Sequence, residues 1–441
     1  MKSILTIKKI SLWLAIGFLS SWLFSCQPNS SSRSSSQELE FWTMQLQPQF
    51  NDYFARLNTN FETANQAVKV RWIDVPWSAM ESKILTSMSA QTAPDVVNLN
   101  PNFASQLATR NAWLSLNEVV SPEVKQTYLP KIWEASTIEV CQDTTCNLFT
   151  FGIPWYLTTR VTIYNQELLK QANLTQPPAT YAELAEAAKQ IKAKTGKYAF
   201  FVTFVPSDSS EVLESFVQMG VELVDAEGKA AFNNPAGVEA FRYWVDLYQQ
   251  GLLPPEVLTQ GHRHAIELYQ AGETALLSSG AEFLEAIANN APTVAAVSAA
   301  APQITGETGK KNVAVMNLVI PRNTDKPEEA LKYALYVTNT ENQLAFAKEA
   351  NVLPSTVEAV KQYIQELEQQ QTTTPVEQAR QVGAVQLEDA EVLIPAMKDL
   401  NKLQQAIYEN LQAAMLGEKT VEQAVADAAE EWNQQQISNK I

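Results

Sequence analysis

The stretch Val68-Lys69-Val70-Arg71-Trp72, followed by Trp77–Ala90 and then by Asp95-Val96-Val97-Asn98-Leu99, decides the fold class. Val68, Val70 and Trp72 alternate with charged residues, the period of two that marks a strand. Trp77–Ala90 reads as a helix and Asp95–Leu99 as a short buried strand. A strand, a helix and a strand in succession imply a right-handed crossover and a mostly parallel sheet covered on both faces. Upstream, Glu38–Met44 is a strand, and Pro48–Thr63 has helical spacing with Phe50, Phe54, Leu57 and Phe61 on one face. Downstream, Phe103–Asn111 is helical again.

A second series follows. Ser136–Val140 and Asn147–Phe151 read as a hairpin, and Val161–Tyr164 as a strand. Thr180-Tyr181-Ala182-Glu183 is a capping box opening a helix that Gly196 ends. Tyr198–Phe204 is rich in aromatic and β-branched residues and reads as a strand, as does Val313–Ile320. Asn234-Pro235 opens a helix closing at Gly251, and Thr420–Gln423 is a second capping box.

The first 25 residues have the layout of a secretory leader: Lys2, Lys8 and Lys9, then a short apolar run from Ile10 to Phe24. Leu23-Phe24-Ser25-Cys26 resembles the bacterial lipobox, which would leave an acylated Cys26 at the mature terminus; an ordinary leader with an incidental cysteine is the alternative. Residues 26–37 then read as a flexible tether. The expected location is therefore outside the cytoplasm, anchored to a membrane face. About four hundred residues remain, enough for two domains with cores of their own. The formal charge of −16 and the lack of any Lys/Arg run beyond the leader argue against nucleic acid and favour a neutral or cationic ligand. Cys141 and Cys146 flank a polar turn, where a local disulfide is favoured over a metal site because no further ligand lies close in sequence.

Catalytic signatures are missing. There is no Gly-x-Ser-x-Gly elbow, and Gly306-Glu307-Thr308-Gly309-Lys310 is too short for a phosphate loop. His262 and His264 read as solvated surface rather than as a metal site, and no cofactor or metal is expected. A glycosidase-like carboxylate pair stays open, because acidic residues are plentiful and spacing nominates none.

Several segments resemble the solute-binding proteins of ABC importers, in the sugar-binding family that includes maltose-binding protein. They are Ala93–Val97, Gly152-Ile153-Pro154-Trp155-Tyr156, Ile163–Leu168, Pro177–Leu184, Tyr269–Leu276, Lys326–Leu331, Asn342–Ala347 with Leu353-Pro354-Ser355, and Gly417 with Thr420–Ala424. Gln166 and Tyr181 depart from the family's usual Lys and Trp. The resemblance implies an α/β fold of two lobes, each a mostly parallel sheet flanked by helices, joined by hinge crossings near Trp155–Thr159, Gly280–Phe283 and Phe346–Leu353. The first lobe is then 38–154 plus 284–345 and the second 155–283 plus 346–441. It also implies a non-enzymatic, monomeric component that captures a sugar or polyol in the cleft and hands it to a membrane permease.

Ligands in such folds sit beyond the carboxyl ends of strands, and sugars need aromatic faces together with amides or carboxylates. The candidates are Trp155 and Tyr156 as stacking platforms, with Met44, Gln45, Trp77, Asn98, Asn100, Phe204, Glu282 and Phe283. Trp72, Trp133, Trp244 and Trp432 read as packing residues. An exported glycan-active enzyme, or a sensory or structural lipoprotein with a vestigial cleft, is the alternative.

Overall fold

The computed structural model describes residues 37–142, 145–206, 208–370, 374–394, 397 and 399–438; the expected leader, Cys26 and the tether up to residue 36 lie outside them. Its strands are β1 (Gln37–Met44), β2 (Val68–Val75), β3 (Val96–Leu99), β4 (Thr137–Gln142), β5 (Thr145–Thr150), β6 (Ile153–Thr159), β7 (Val161–Asn165), β8 (Leu276–Ser279), β9 (Ser298–Ala301), β10 (Lys311–Val319), β11 (Leu353–Pro354) and β12 (Ala390–Glu391). A seven-stranded sheet runs β11–β6–β10–β3–β1–β2, with β12 beside β10. A separate three-stranded sheet runs β8–β7–β9, and β4 pairs with β5 alone.

The stretch that decided the class forms as read. β1 is parallel to both β2 and β3, with the helices Asn51–Ala64 and Trp77–Ser89 as crossovers. The face read from Phe54 and Phe61 is buried against Tyr333, Trp72 and Phe346. β10 enters between β3 and β6 and is antiparallel to both. The second sheet is antiparallel throughout, against expectation. More than a hundred residues, mostly helical, separate β7 from β8, so the direct strand–helix–strand rule does not govern that pairing. Tyr198–Phe204 is not a ladder strand either. It lies beside β8 through bonds from Ala275 N to Tyr198 O (3.0 Å) and Leu276 N to Ala199 O (2.7 Å), then leaves towards Val257.

Helix ends follow their capping residues. Thr180 Oγ1 accepts from Glu183 N (3.2 Å), Glu183 Oε2 from Ala179 N (2.7 Å), and Gly196 closes the helix at φ +72°. Asn234 Oδ1 accepts from Gly237 N, and Thr420 and Gln423 cap each other reciprocally.

Two separate apolar cores result. One gathers Leu39 to Leu157 with Val313 to Leu367 and Ala390; the other gathers Val161 to Ile287 with Ala300, Ala379 and Ile394 to Trp432. Core membership divides the chain elsewhere than the expected boundaries: Leu284 and Ile287 pack in the second core, Phe346 and Leu353 in the first. The chain passes between cores at Arg160, between β6 and β7; at 302–310, between β9 and β10; between Leu367 and Ala379; and, after the helix Pro375–Gln386 has brought it back to the first core at Ala384, again between Ala390 and Ile394. Gly280–Phe283 and Phe346–Leu353 therefore lie inside lobes. Among the described residues no helix is long and apolar enough to cross a membrane.

Candidate functional site

The carboxyl ends of β1, β2 and β3 form one wall. Asp74, near the end of β2, accepts from Thr43 Oγ1 (2.7 Å), Leu46 N (2.9 Å) and Gln47 N (3.1 Å). This anchors the loop after β1 and holds exposed Gln45 in the left-handed region, φ 54°. Few non-glycine residues adopt that conformation, and they concentrate at ligand sites. Met44 is buried in the core instead. Asn98 is buried, donating to Asn317 O at 3.3 Å while its Oδ1 has no hydrogen-bond partner. Asn100 is spent as a helix cap, accepting from Phe103 N at 2.8 Å. Trp77, the first residue of the helix after β2, leaves 45 % of its surface exposed.

The two expected stacking platforms are corrected. Trp155 is 0 % exposed, stacked on Phe346 at 4.8 Å and bordered by Phe41, Phe54 and Tyr156. Tyr156 is buried beside it, its ring 5.0 Å from Trp155 and 5.3 Å from Phe346, its phenol pushed up by burial and by the nearby Glu282 and Asp74 carboxylates. β6 carries one extra residue, Trp155, where its register against β10 shifts between Met316 and Asn317, and this bulge lets both adjacent aromatics pack on Phe346. Phe204 is likewise core, against Trp244 and Tyr408. Tyr156 is still informative, because its neighbours Asp74 and Glu282 come from opposite lobes and place it where the lobes meet.

The second lobe presents a charged wall. Arg160, at the first passage, lies between Glu214 Oε2 (3.4 Å from Nε) and Glu211 Oε2 (3.8 Å from Nη1), and donates to Ser209 Oγ at 3.1 Å. Burial works against its charge, but the two carboxylates hold its pKa above the ordinary value. Burial raises the Glu214 pKa, offset in part by Arg160. His262 is part-buried rather than solvated, 3.8 Å from Glu211 Oε2, and burial with Arg160 nearby lowers its pKa to about 4, leaving it neutral. His264 is also part-buried, bonded to Glu267 and set edge-on to Phe201. Glu282 and Phe283 open the helix after β8; burial raises the Glu282 pKa to about 7, while Phe283 stays 36 % exposed. Sequence reasoning missed Asp74, Arg160, Glu211 and Glu214. Arg160 alone carried a signal, as one cation between two strand runs.

A cavity of about 40 Å³ inside the second lobe, lined by Tyr181, Glu211, Glu214, Gln218 and Trp244, has room for a few waters and none for a saccharide. Trp72, Trp133, Trp244 and Trp432 pack as read, the first stacked on Phe54 at 4.3 Å. Among the described residues no three His, Cys, Asp or Glu side chains are grouped to hold a metal.

The sequence profile of the bacterial extracellular solute-binding proteins matches residues 44–344. The chain belongs to that family. Like other extracellular solute-binding proteins, it has two α/β lobes. A Synechococcus sp. MITs9220 protein, provisionally assigned as an oligosaccharide periplasmic-binding protein and crystallised with zinc, is 47 % identical; the match covers 90 % of this chain and 98 % of that one, with a TM-score of 0.84. The maltodextrin-binding protein MdxE of Bacillus subtilis is 23 % identical over 373 residues, 80 % of this chain and 82 % of that protein. The cyclic alpha-maltosyl-1,6-maltose binding protein of Arthrobacter globiformis shares the fold at 21 % identity and a TM-score of 0.74, over 90 % of this chain and 98 % of that one.

Proposed function

We propose that this solute-binding protein captures a sugar or related polyol between its lobes and delivers it to an ABC permease without transforming it. The observation that carries the reading is a pair of exposed aromatics, Trp77 and Phe283, each following the carboxyl end of a strand and one on each lobe. They are the natural stacking faces for sugar C–H patches, now that Trp155 and Tyr156 are packed inside. Gln45, Asp74 and Glu282 supply hydroxyl partners around Tyr156. Contacts to both lobes exist only in the closed state, so ligand shifts the population towards it. Relatives that bind maltodextrin and diacetylchitobiose support the ligand class.

The rest follows from sequence. A lipid at Cys26 and the tether would hold a monomer at the membrane face beside its permease. Cys141 and Cys146 stand opposite each other in the β4–β5 ladder, which supports a local disulfide. A thermal-shift screen of maltodextrins, chito-oligosaccharides and polyols tests the binding, since ligand at about 100 times its Kd adds about 2.7 kcal/mol. The expected result is a saturable shift with the sugar recovered intact. No shift with any of them refutes the reading, and turnover would make the protein an enzyme.

A further inference from the structure

Three of the chain passages between the lobes, at Arg160, at 302–310 and at 390–394, are joined by buried side-chain amides. Gln386, the last residue of the helix Pro375–Gln386, donates from Nε2 to Arg160 O (2.6 Å) in the first passage, and its Oε1 accepts from Gln303 N (3.1 Å) in the second. Gln303 Oε1 in turn accepts from Asn312 N (2.8 Å), and Asn312 Oδ1 from Leu393 N (3.2 Å) in the third. Gln303, Asn312 and Gln386 are all buried. The helix carrying Gln386 straddles both cores, with Ala379 in the second and Ala384 in the first.

We infer that Gln386 is a positioning residue for ligand capture: it clamps the first passage to the second, so that the lobes rotate about one axis instead of bending and twisting independently. A single amide serves because it offers a donor to one passage and an acceptor to the other at once. Buried bonds of this kind are costly to break, so the clamp persists while the outer ends of the lobes move. Without it the free protein samples more interlobe arrangements, and the fraction competent to close falls. Apparent Kd rises in proportion, because it is the intrinsic Kd divided by that fraction.

The inference rests on the hinge-closure reading, but its test needs no ligand and so fails separately. Spin labels carried by non-canonical residues at the exposed positions Lys69 and Lys189, one on each lobe, report the interlobe distance distribution. Gln386→Leu is expected to widen that distribution about twofold in ligand-free protein while both lobes stay folded by circular dichroism. Gln378→Leu is the control, removing a bond of the same kind from the same helix, where Gln378 Oε1 accepts from Ala300 N (3.2 Å) of the second lobe. It should lower stability and leave the width unchanged. A native width for Gln386→Leu, or equal widening by Gln378→Leu, overturns the inference. If Gln386→Leu does not fold, Gln386→Met, an unbranched side chain of similar length that also lacks both amide groups, is read by the same criterion.

Discussion

Replacing Trp155 with alanine separates a core residue from a ligand platform. The indole is fully enclosed, and truncating a large core aromatic costs about 3–5 kcal/mol through lost burial and the cavity left behind. Its stacked contact with Phe346 at 4.8 Å and edge contact with Tyr156 at 5.0 Å place it in the upper part of that range. Against this, Trp155 Nε1 is buried without a hydrogen-bond partner, so truncation removes an unpaired donor whose burial costs about 1–3 kcal/mol. The net expectation is a loss of about 3 kcal/mol, a large share of the roughly 5–15 kcal/mol typical of a folded domain. Trp155→Phe keeps most of the ring and drops the unpaired donor, so it should cost less than about 2 kcal/mol. Urea denaturation followed by circular dichroism measures both, and titration with the saccharide found in the screen gives the affinity of the folded fraction. The reasoning is refuted if Trp155→Ala loses less than about 1 kcal/mol of stability but more than about tenfold in affinity.

Trp77→Ala and Phe283→Ala should do the opposite, each weakening saccharide binding by about tenfold with little change in the unfolding midpoint; calorimetry showing native affinity for both removes them from the site. Glu282 titrates near 7 when folded and near 4.3 when unfolded, so the folded state holds a proton that the unfolded chain releases in that window. Stability should therefore rise as pH falls from above 7 towards 4.3, by an amount on the order of 3 kcal/mol, and Glu282→Gln should flatten this slope in denaturation series at pH 5 to 8. An identical slope in the variant would show that Glu282 is not the titrating group. Cys26→Ala should move the protein from the membrane to the soluble exported fraction, and an unchanged distribution on fractionation would rule out the anchor.

How far the sequence could be read depended on the reach of each signal. β1 to β3 and their helices were legible because alternation and helical spacing are local, as were the caps at Thr180, Asn234 and Thr420. The first passage, at Arg160, follows directly on the expected Trp155–Thr159, but the later ones were not legible, because they depend on which distant strands pair: β10 joins β3 and β6 only through register across more than a hundred residues. Trp155 and Tyr156 misled because aromatic pairs look alike in a cleft and in a strand buried on both faces. The Arg160 cluster was hidden by separation, its partners Glu211 and Glu214 lying some fifty residues along the chain on the helix Glu211–Gln218.

The position of β10 has a consequence for how the protein reaches its native state. This strand fills the gap between β3 and β6, yet most of the second core, from Val161 to Ala300, precedes it in sequence. Until residues 311–319 arrive, β3 and β6 each present a row of unpaired amides and carbonyls, the kind of edge on which chains aggregate. The first core can close only late, after a long-range insertion that is slow by its topology. Substitutions that weaken β10 should therefore show themselves first as poor yield and insoluble protein, before any defect in the finished molecule.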